Sequence, residues 1–248
     1  MRDSARAVVI GGGVGGASIL YWLARLGWED VVLCERADLT SGSTFHSAGL
    51  VGQLRGSLSL TKMMMNSVDL YRTLESEVGL ETGWHEVGSL RLASSEERLQ
   101  ELKRQAGWAK TFGLPLELVS AEEAQGLFPP MSVEGVLGAA FLPSDGYIDP
   151  SQLTLALAEG ARRRGAEIYT NTRVNAVRVE RGRVKGVETD KGAIEADVVV
   201  NAGGMFAAEI GRLAGVRIPV VPFAHQYLVT QPFRERGDAH LPTLRDPD

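Results

Sequence analysis

The stretch AVVIGGGVGGASILYWLARLGWEDVVLCER, residues 7–36, decides the fold. Ala7 to Ile10 reads as a short buried strand that runs directly into Gly11-Gly12-Gly13-Val14-Gly15-Gly16. A helix from about Val14 to Leu26 follows, with Ala17, Leu20, Tyr21 and Ala24 on one face. Gly27 ends that helix as its C′ residue. Val31 to Cys34 is the next strand, closed by Glu35 and Arg36. A strand-helix-strand unit of about 30 residues implies two parallel strands joined by a right-handed crossover.

Within this unit Gly11, Gly13 and Gly16 fit G-x-G-x-x-G. The first glycine permits the tight turn, the second lets backbone approach a pyrophosphate, and the third lets helix and strand pack closely. The helix N-terminus then offers N–H groups and a positive dipole end to phosphates. Glu35 lies 19 residues beyond Gly16, close to the usual spacing of about 20 for the carboxylate that accepts both ribose hydroxyls. A carboxylate there argues against a 2′-phosphate. The motif leaves NAD and FAD both open. Val198-Val199-Val200-Asn201-Ala202-Gly203-Gly204 is a buried strand ending in small residues. Its backbone can lie against a ligand, or form an ordinary tight strand-to-helix turn.

Outward from these two segments, residues 37–57 read as loop and about 58–78 as helix. Ser89 to Ala93 reads as strand, and Ser94 with Glu97 as a capping box for a helix reaching Phe112. Ser120 with Glu123 repeats that signature, and Val136 to Leu142 looks like strand. Asp149-Pro150 opens a helix to about Arg164. Strand-like runs follow at 167–169, 174–180 and 184–189, the last two around the turn Arg181-Gly182-Arg183. The run 196–200 enters Asn201-Ala202-Gly203-Gly204, a helix reaches about Leu213, and a strand is expected near Gln226 to Thr230. The order predicts an α/β protein: a Rossmann-type nucleotide-binding domain interrupted by an inserted α+β layer, to which the chain returns after Pro219. The expected boundaries are 1–84 and 149–215 for the nucleotide-binding part, and 85–148 and 216–248 for a partial substrate domain truncated at the C-terminus.

Composition narrows the function classes. The 248 residues are 44% apolar and 23% charged with net charge −5, and no basic block argues for nucleic acid. Cys34 is the only cysteine, so no disulfide forms within one chain, which suits a reducing compartment. It reads as a small buried strand residue rather than a reactive thiol. Apolar runs fall far short of the roughly 20 residues that span a bilayer. The first strand begins near Ala7, leaving little room for a presequence, so a cytoplasmic protein without membrane contact is expected. No metal site is expected.

His46 stands in LTSGSTFHSAGLVGQLR, residues 39–55, among small and hydroxylated residues. It lies 11 residues beyond Glu35, and an extended chain of that length spans up to roughly 36–40 Å. Reach therefore permits contact with the far end of a dinucleotide. Ser41, Gly42, Ser43 and Thr44 can pass the pyrophosphate on the way, offering hydroxyls and N–H groups. A neutral imidazole can also attack the 8α-methyl carbon of a flavin in its quinone-methide form. A lone loop histidine is nonetheless more often an ordinary polar residue.

The segment LTSGSTFHSAGL resembles the flavin-linking segment of the sarcosine and dimethylglycine dehydrogenase family, usually Gly-Ser-Thr-Trp-His-Ala-Ala-Gly-Leu. The likeness continues through TGWHEVGSLRLA, SDGYIDPSQLTLALAEGARRRGA, VVVNAGGMFAAEIGRLAG and HQYLVT, and so covers essentially the whole chain. The resemblance implies FAD as cofactor, carried covalently by His46 through the 8α-methyl. It places Gly11, Gly13, Gly16 and Glu35 at the ADP moiety, Val174 at a backbone contact to adenine, and Ala202-Gly203 at a second nucleotide contact. Val14, Arg36, Ser43, Thr44, Gly49 and Leu50 fall among its cofactor-binding positions. Phe45 stands where tryptophan is common. His225 matches a substrate-site position near the flavin, where its imidazole could bind the substrate amine or carboxylate or help keep the amine neutral. On sequence alone a surface or core histidine has the same signature. His85 and His240 read as structural or exposed.

The activity implied is oxidation of an N-methyl amino acid, sarcosine or dimethylglycine, by hydride transfer to flavin N5. An electron-acceptor protein or oxygen takes the electrons, and folate can take the one-carbon unit through regions absent here. Family members continue well past Asp248. Two other readings stay open: a D-amino-acid or glycine oxidase-like flavoenzyme with non-covalent FAD, and a non-catalytic regulatory subunit or inactive fragment.

Overall fold

A computed structural model of the chain describes residues 1–231 and 241–246. Strand β1 (Ser4–Ile10), helix α1 (Val14–Arg25) and strand β2 (Val31–Cys34) form the expected unit. Ala17, Leu20, Tyr21 and Ala24 are the buried face of α1. At its end Gly27 takes φ 81°, its N–H donates to the Ala24 carbonyl (3.1 Å), and the Trp28 N–H donates to that of Leu23 (3.0 Å). This pair of bonds closes the helix in a Schellman motif.

The chain continues through β3 (Leu50–Val51), α2 (Leu58–Val78), β4 (Ser89–Ala93), α3 (Glu96–Lys110), β5 (Glu117–Val119) and α4 (Ala121–Leu127). Then come β6 (Gly138–Leu142), β7 (Gly146–Tyr147), α5 (Pro150–Arg162), β8 (Glu167–Tyr169), β9 (Val174–Glu180), β10 (Arg183–Thr189), β11 (Gly192–Asn201), α6 (Ala207–Leu213) and β12 (Thr243–Arg245). Single 3₁₀ turns sit at Thr44–His46 and Gly204–Phe206.

Local chemistry sets several of these boundaries. Asp149 Oδ1 accepts from the N–H groups of Ser151 (2.8 Å) and Gln152 (2.9 Å), with Pro150 at the first helical position. Ser120 and Glu123 cap α4 reciprocally: Ser120 Oγ accepts from the Glu123 N–H, and the Glu123 carboxylate accepts from the Ser120 N–H. The cap of α3 departs from expectation. Ser95, not Ser94, is the N-cap and accepts from the Arg98 N–H at 3.3 Å. The helix starts one residue later than the Ser94–Glu97 spacing suggests.

The six-stranded sheet runs β8-β2-β1-β11-β10-β9. β1 is parallel to β2 and to β11, and β2 to β8, while β9 and β10 are antiparallel additions. Strands buried on both faces read as unbroken apolar runs, and Val31–Cys34 is buried at all four positions. Val8, Ile10, Val32 and Cys34 pack with Val177, Val187 and Ile194 on one side. A second sheet runs β12-β4-β6-β5, and β3 pairs with β7.

The chain forms two compact units: Met1–Ala48, Thr73–Thr82 and Asp149–Tyr227; and Gly49–Arg72, Gly83–Ile148 and the described part of Leu228–Asp248. Three stretches fall differently from the sequence-based boundaries; the shortest, Gly83-Trp84, lies in the second unit. Residues 49–72 belong to the second unit, because β3 pairs with β7 and Leu54 packs with Ala109, Leu114 and Leu142. Residues 216–227 stay with the first unit. The strand expected near Gln226 to Thr230 is not formed: this stretch is exposed, without regular structure, and pairs with no described strand. The chain joins the second sheet only at Thr243–Arg245, which pairs in parallel with Ser89–Arg91. His240 lies outside the described residues.

Candidate functional site

The first unit contains a cleft of about 410 Å³ where the carboxyl ends of β1, β2 and β11 meet the head of α1. Ligands of open α/β sheets bind at this end of the strands, where the chain order reverses. Of the residues singled out from sequence, Gly11, Gly13, Val14, Glu35, Arg36, Ser43, Thr44, Val174, Ala202 and Gly203 line it.

Sterics explain the glycines. Gly11 has φ 115°, and a Cβ there would fall on the Ala202 carbonyl. A Cβ at Gly13 would come within 2.9 Å of Thr44 Oγ1, and one at Gly203 would fall on the Ile210 side chain. Gly16 is buried behind the cleft rather than lining it, and a Cβ there would fall on the Gly11 carbonyl. It is a packing glycine. Backbone therefore closes the cleft from two sides, a cradle that side chains would fill.

The head of α1 carries no acidic residue in its first turn and no side-chain bond from its own N-cap, Gly13. Its positive end is thus left to an outside partner. Thr44 supplies one: its Oγ1 accepts from the Val14 N–H at 3.0 Å. Glu35 Oε2 accepts from the Gly12 N–H (2.6 Å) and Oε1 from the Ala37 N–H (2.9 Å). Each carboxylate oxygen accepts two hydrogen bonds, so one position on each remains for a ribose hydroxyl. Donor set, dipole and glycine cradle all fit a dinucleotide.

The remaining expected residues lie elsewhere. His46 ends the 3₁₀ turn and is exposed; its ring lies 3.8 Å from that of Phe45, and its Nδ1 is 3.3 Å from Tyr227 Oη. It does not line the cleft, though Thr44, two residues earlier, does. His225 is exposed on the irregular stretch, its Nδ1 3.2 Å from the Gln226 carbonyl. Gly49 and Leu50 belong to the second unit, and His85 bridges Tyr147 there. Cys34 also lines the cleft. Burial, with a smaller effect from Asp190, pushes its thiol up to about 11, so it is neutral at ordinary pH.

Sequence reasoning missed Gly12, Thr172 and Phe206. Thr172 is buried at the cleft beside Val174. Phe206 stacks under Arg36, whose Cζ lies 3.8 Å from the ring centre. Only adjacency to a recognised residue could have flagged Gly12 and Thr172; the Arg36–Phe206 pair spans 170 positions and has no local signal.

Known proteins share this architecture. The family model described as FAD dependent oxidoreductase (DAO) matches residues 6–248. Human mitochondrial sarcosine dehydrogenase is 41% identical over 254 residues, which cover 100% of this chain and 28% of that protein. Human mitochondrial dimethylglycine dehydrogenase is 40% identical over 250 residues, covering 99% and 28%. The chain thus spans less than a third of these relatives. The crystal structure of L-proline dehydrogenase from P. horikoshii superposes with TM-score 0.92 at 32% identity, covering 99% of this chain and 65% of that one. Among the described residues no helix is long and apolar enough to cross a membrane.

Proposed function

The chain belongs to the FAD-dependent oxidoreductase family, and from that premise we propose that it is the flavin-binding part of an amine oxidoreductase acting on an N-methyl amino acid, sarcosine or dimethylglycine. The observation that carries this reading is the two-sided backbone cradle at Gly11 and Ala202-Gly203, open to the head of α1. The substrate class is supported by the names of the two human dehydrogenases.

Bound in the cleft, FAD would supply the two-electron acceptor for a C–H bond next to the amine nitrogen, as hydride to N5. The residues of the chain bind and orient. Glu35 would accept the ribose hydroxyls, and the Val174 backbone would meet adenine. The α1 N-terminus with Ser43 and Thr44 would hold the pyrophosphate, and Gly49 and Leu50 are assigned further contacts. His46 is the residue assigned to hold the flavin covalently through its 8α-methyl carbon. Tyr227 engages Nδ1, so Nε2 is the nitrogen assigned to that bond. His225 is assigned to hydrogen-bond the substrate and keep its amine free of the proton whose removal exposes the lone pair. Partners in this reading are the small amino acid, an electron-acceptor protein or oxygen, and folate through regions outside this chain.

The test is denaturation of the full-length gene product. Yellow colour should stay with the polypeptide, a tryptic peptide containing His46 should carry the flavin mass, and His46→Ala should release the colour. Colour that washes free would favour the oxidase-like reading with non-covalent FAD. Steady-state assay with sarcosine or dimethylglycine and an artificial acceptor tests the reaction; no turnover despite bound FAD would favour a regulatory role.

A further inference from the structure

A second cavity, of about 590 Å³, is lined wholly by residues of the second unit. Arg91 on β4 and Arg245 on β12 stand opposite each other in register. Paired residues of neighbouring strands project from the same face of a sheet, and both arginines line the cavity. Arg55, from the segment between β3 and α2, joins them. Its Nη1 lies 3.5 Å, and Arg91 Nη2 3.7 Å, from the single point where Gly52 would carry a Cβ.

Two carboxylates bear on this group: Glu101, on the cavity wall and paired with Arg104, and Asp145. Asp145 is fully buried, with Oδ2 3.4 Å from the same point. It is already engaged, accepting from the Gln53 N–H (2.8 Å) and the Ser89 hydroxyl (2.7 Å). Arg91 donates to Gln105 Oε1 at 3.0 Å, a neutral partner. Burial lowers the Arg91 pKa from its usual range; Asp145 opposes the shift, and Arg245 and Arg55 add to it. Among the described residues none of these three arginines forms an ion pair. Arg104, also on the cavity wall, differs: it is paired with Glu101 at 2.6 Å and its side chain is 70% exposed.

Three guanidinium groups against two carboxylates that are both already engaged leave positive charge unmatched in a half-buried pocket. Such charge is costly unless an anion meets it. Arg98, Glu101 and Gln105 also line the cavity, and its apolar side is formed by the buried Leu54 and Leu102 with Trp108, whose indole N–H donates to the Arg55 carbonyl (3.2 Å). A bare ion would leave this surface unused. The geometry points to a binding site for a small organic dianion of the dicarboxylate class. Arginine forks suit its two carboxylates, and the carbon chain lies on the leucine and tryptophan wall. The site does not rest on the flavin reading, since its residues and its test involve no cofactor.

Isothermal titration of the full chain at constant ionic strength tests it, with succinate, acetate and inorganic phosphate as probes. Succinate should bind saturably and at least about tenfold more tightly than either of the others, a difference of about 1.4 kcal/mol. Arg91→Gln and Arg245→Gln should each weaken it by about tenfold or more, while Arg217→Gln, at an exposed arginine of the first unit, leaves it unchanged. Circular dichroism checks each fold; Arg245 is exposed at a strand end, so its variant serves should Arg91→Gln unfold. No succinate binding, equal binding of acetate, tighter binding of phosphate, or binding untouched in a folded variant would each overturn the assignment.

Discussion

Val8 and Val32 in the glycine-turn unit are wholly buried, whereas Val221 is 72% and Phe223 88% exposed on the stretch that follows α6. Both regions are apolar on paper. The difference lies in what surrounds each backbone. β1 has ladders to β2 on one side and β11 on the other, and α1 packs against it. Residues 217–231 pair with no described strand; Tyr227 reaches His46, but Val221 and Phe223 find no cover. Apolar composition supplies a driving force for burial, but pairing decides where it is realised.

The contrast can be broken from its strong end. Gly16→Ala should be the most damaging change, because its Cβ falls on the Gly11 carbonyl. Opening that turn should cost about 3 kcal/mol in urea denaturation and abolish flavin retention; an unchanged midpoint would remove the steric account of the cradle. Cys34 gives an effect of intermediate size. Its thiol is raised from 9.0 to about 11 by burial, so the folded state holds the proton more tightly than the unfolded one. That contribution to stability is complete below pH 9 and should be lost as pH rises through about 11. Alkylation at pH 8 should be slow until denaturant is added, and rapid native labelling would show the strand to be open.

Thr44→Val removes the acceptor for the Val14 N–H at nearly constant volume. It should cost about 1 kcal/mol, as loss of a helix cap does, and weaken FAD binding in equilibrium titration. At the weak end, Phe223→Ser should change stability by no more than about 0.5 kcal/mol. A larger loss would mean that this stretch has a packed partner after all, and the contrast would fail.

What sequence could and could not reveal follows the same division. The glycine turn was legible because most of its requirement is local: Gly16 answers the Gly11 carbonyl and Gly11 answers Ala202 at the end of the parallel neighbour, while Gly13 answers the more distant Thr44. The caps at Asp149 and Ser120 were legible for the same reason. Ser94 and Ser95 are adjacent serines, and the box pattern favoured the wrong one. Ser95 takes the cap, accepting from the Arg98 N–H. The bond between Thr44 and Val14 spans 30 positions and the Arg36–Phe206 stack 170, so neither leaves a periodic trace. The strand expected at 226–230 failed because alternation describes a segment able to pair, and pairing needs a second segment that no single window contains. Arg55, Arg91 and Arg245 were unremarkable in the sequence for that reason too: only register sets the latter two side by side.

The hydroxyl of Thr44 has one more consequence, for kinetics. From sequence, the tether between Glu35 and His46 is a leash of up to roughly 40 Å, and an imidazole on such a leash is diluted over the whole volume it can sweep. Pinning Thr44 to the head of α1 cuts the free length to two residues, about 7 Å when extended. The entropy of closing that loop is then lost once, on folding, instead of at each encounter. Any reaction between His46 and a molecule held in the cleft would begin with the imidazole confined nearby, at an effective concentration of millimolar order or above.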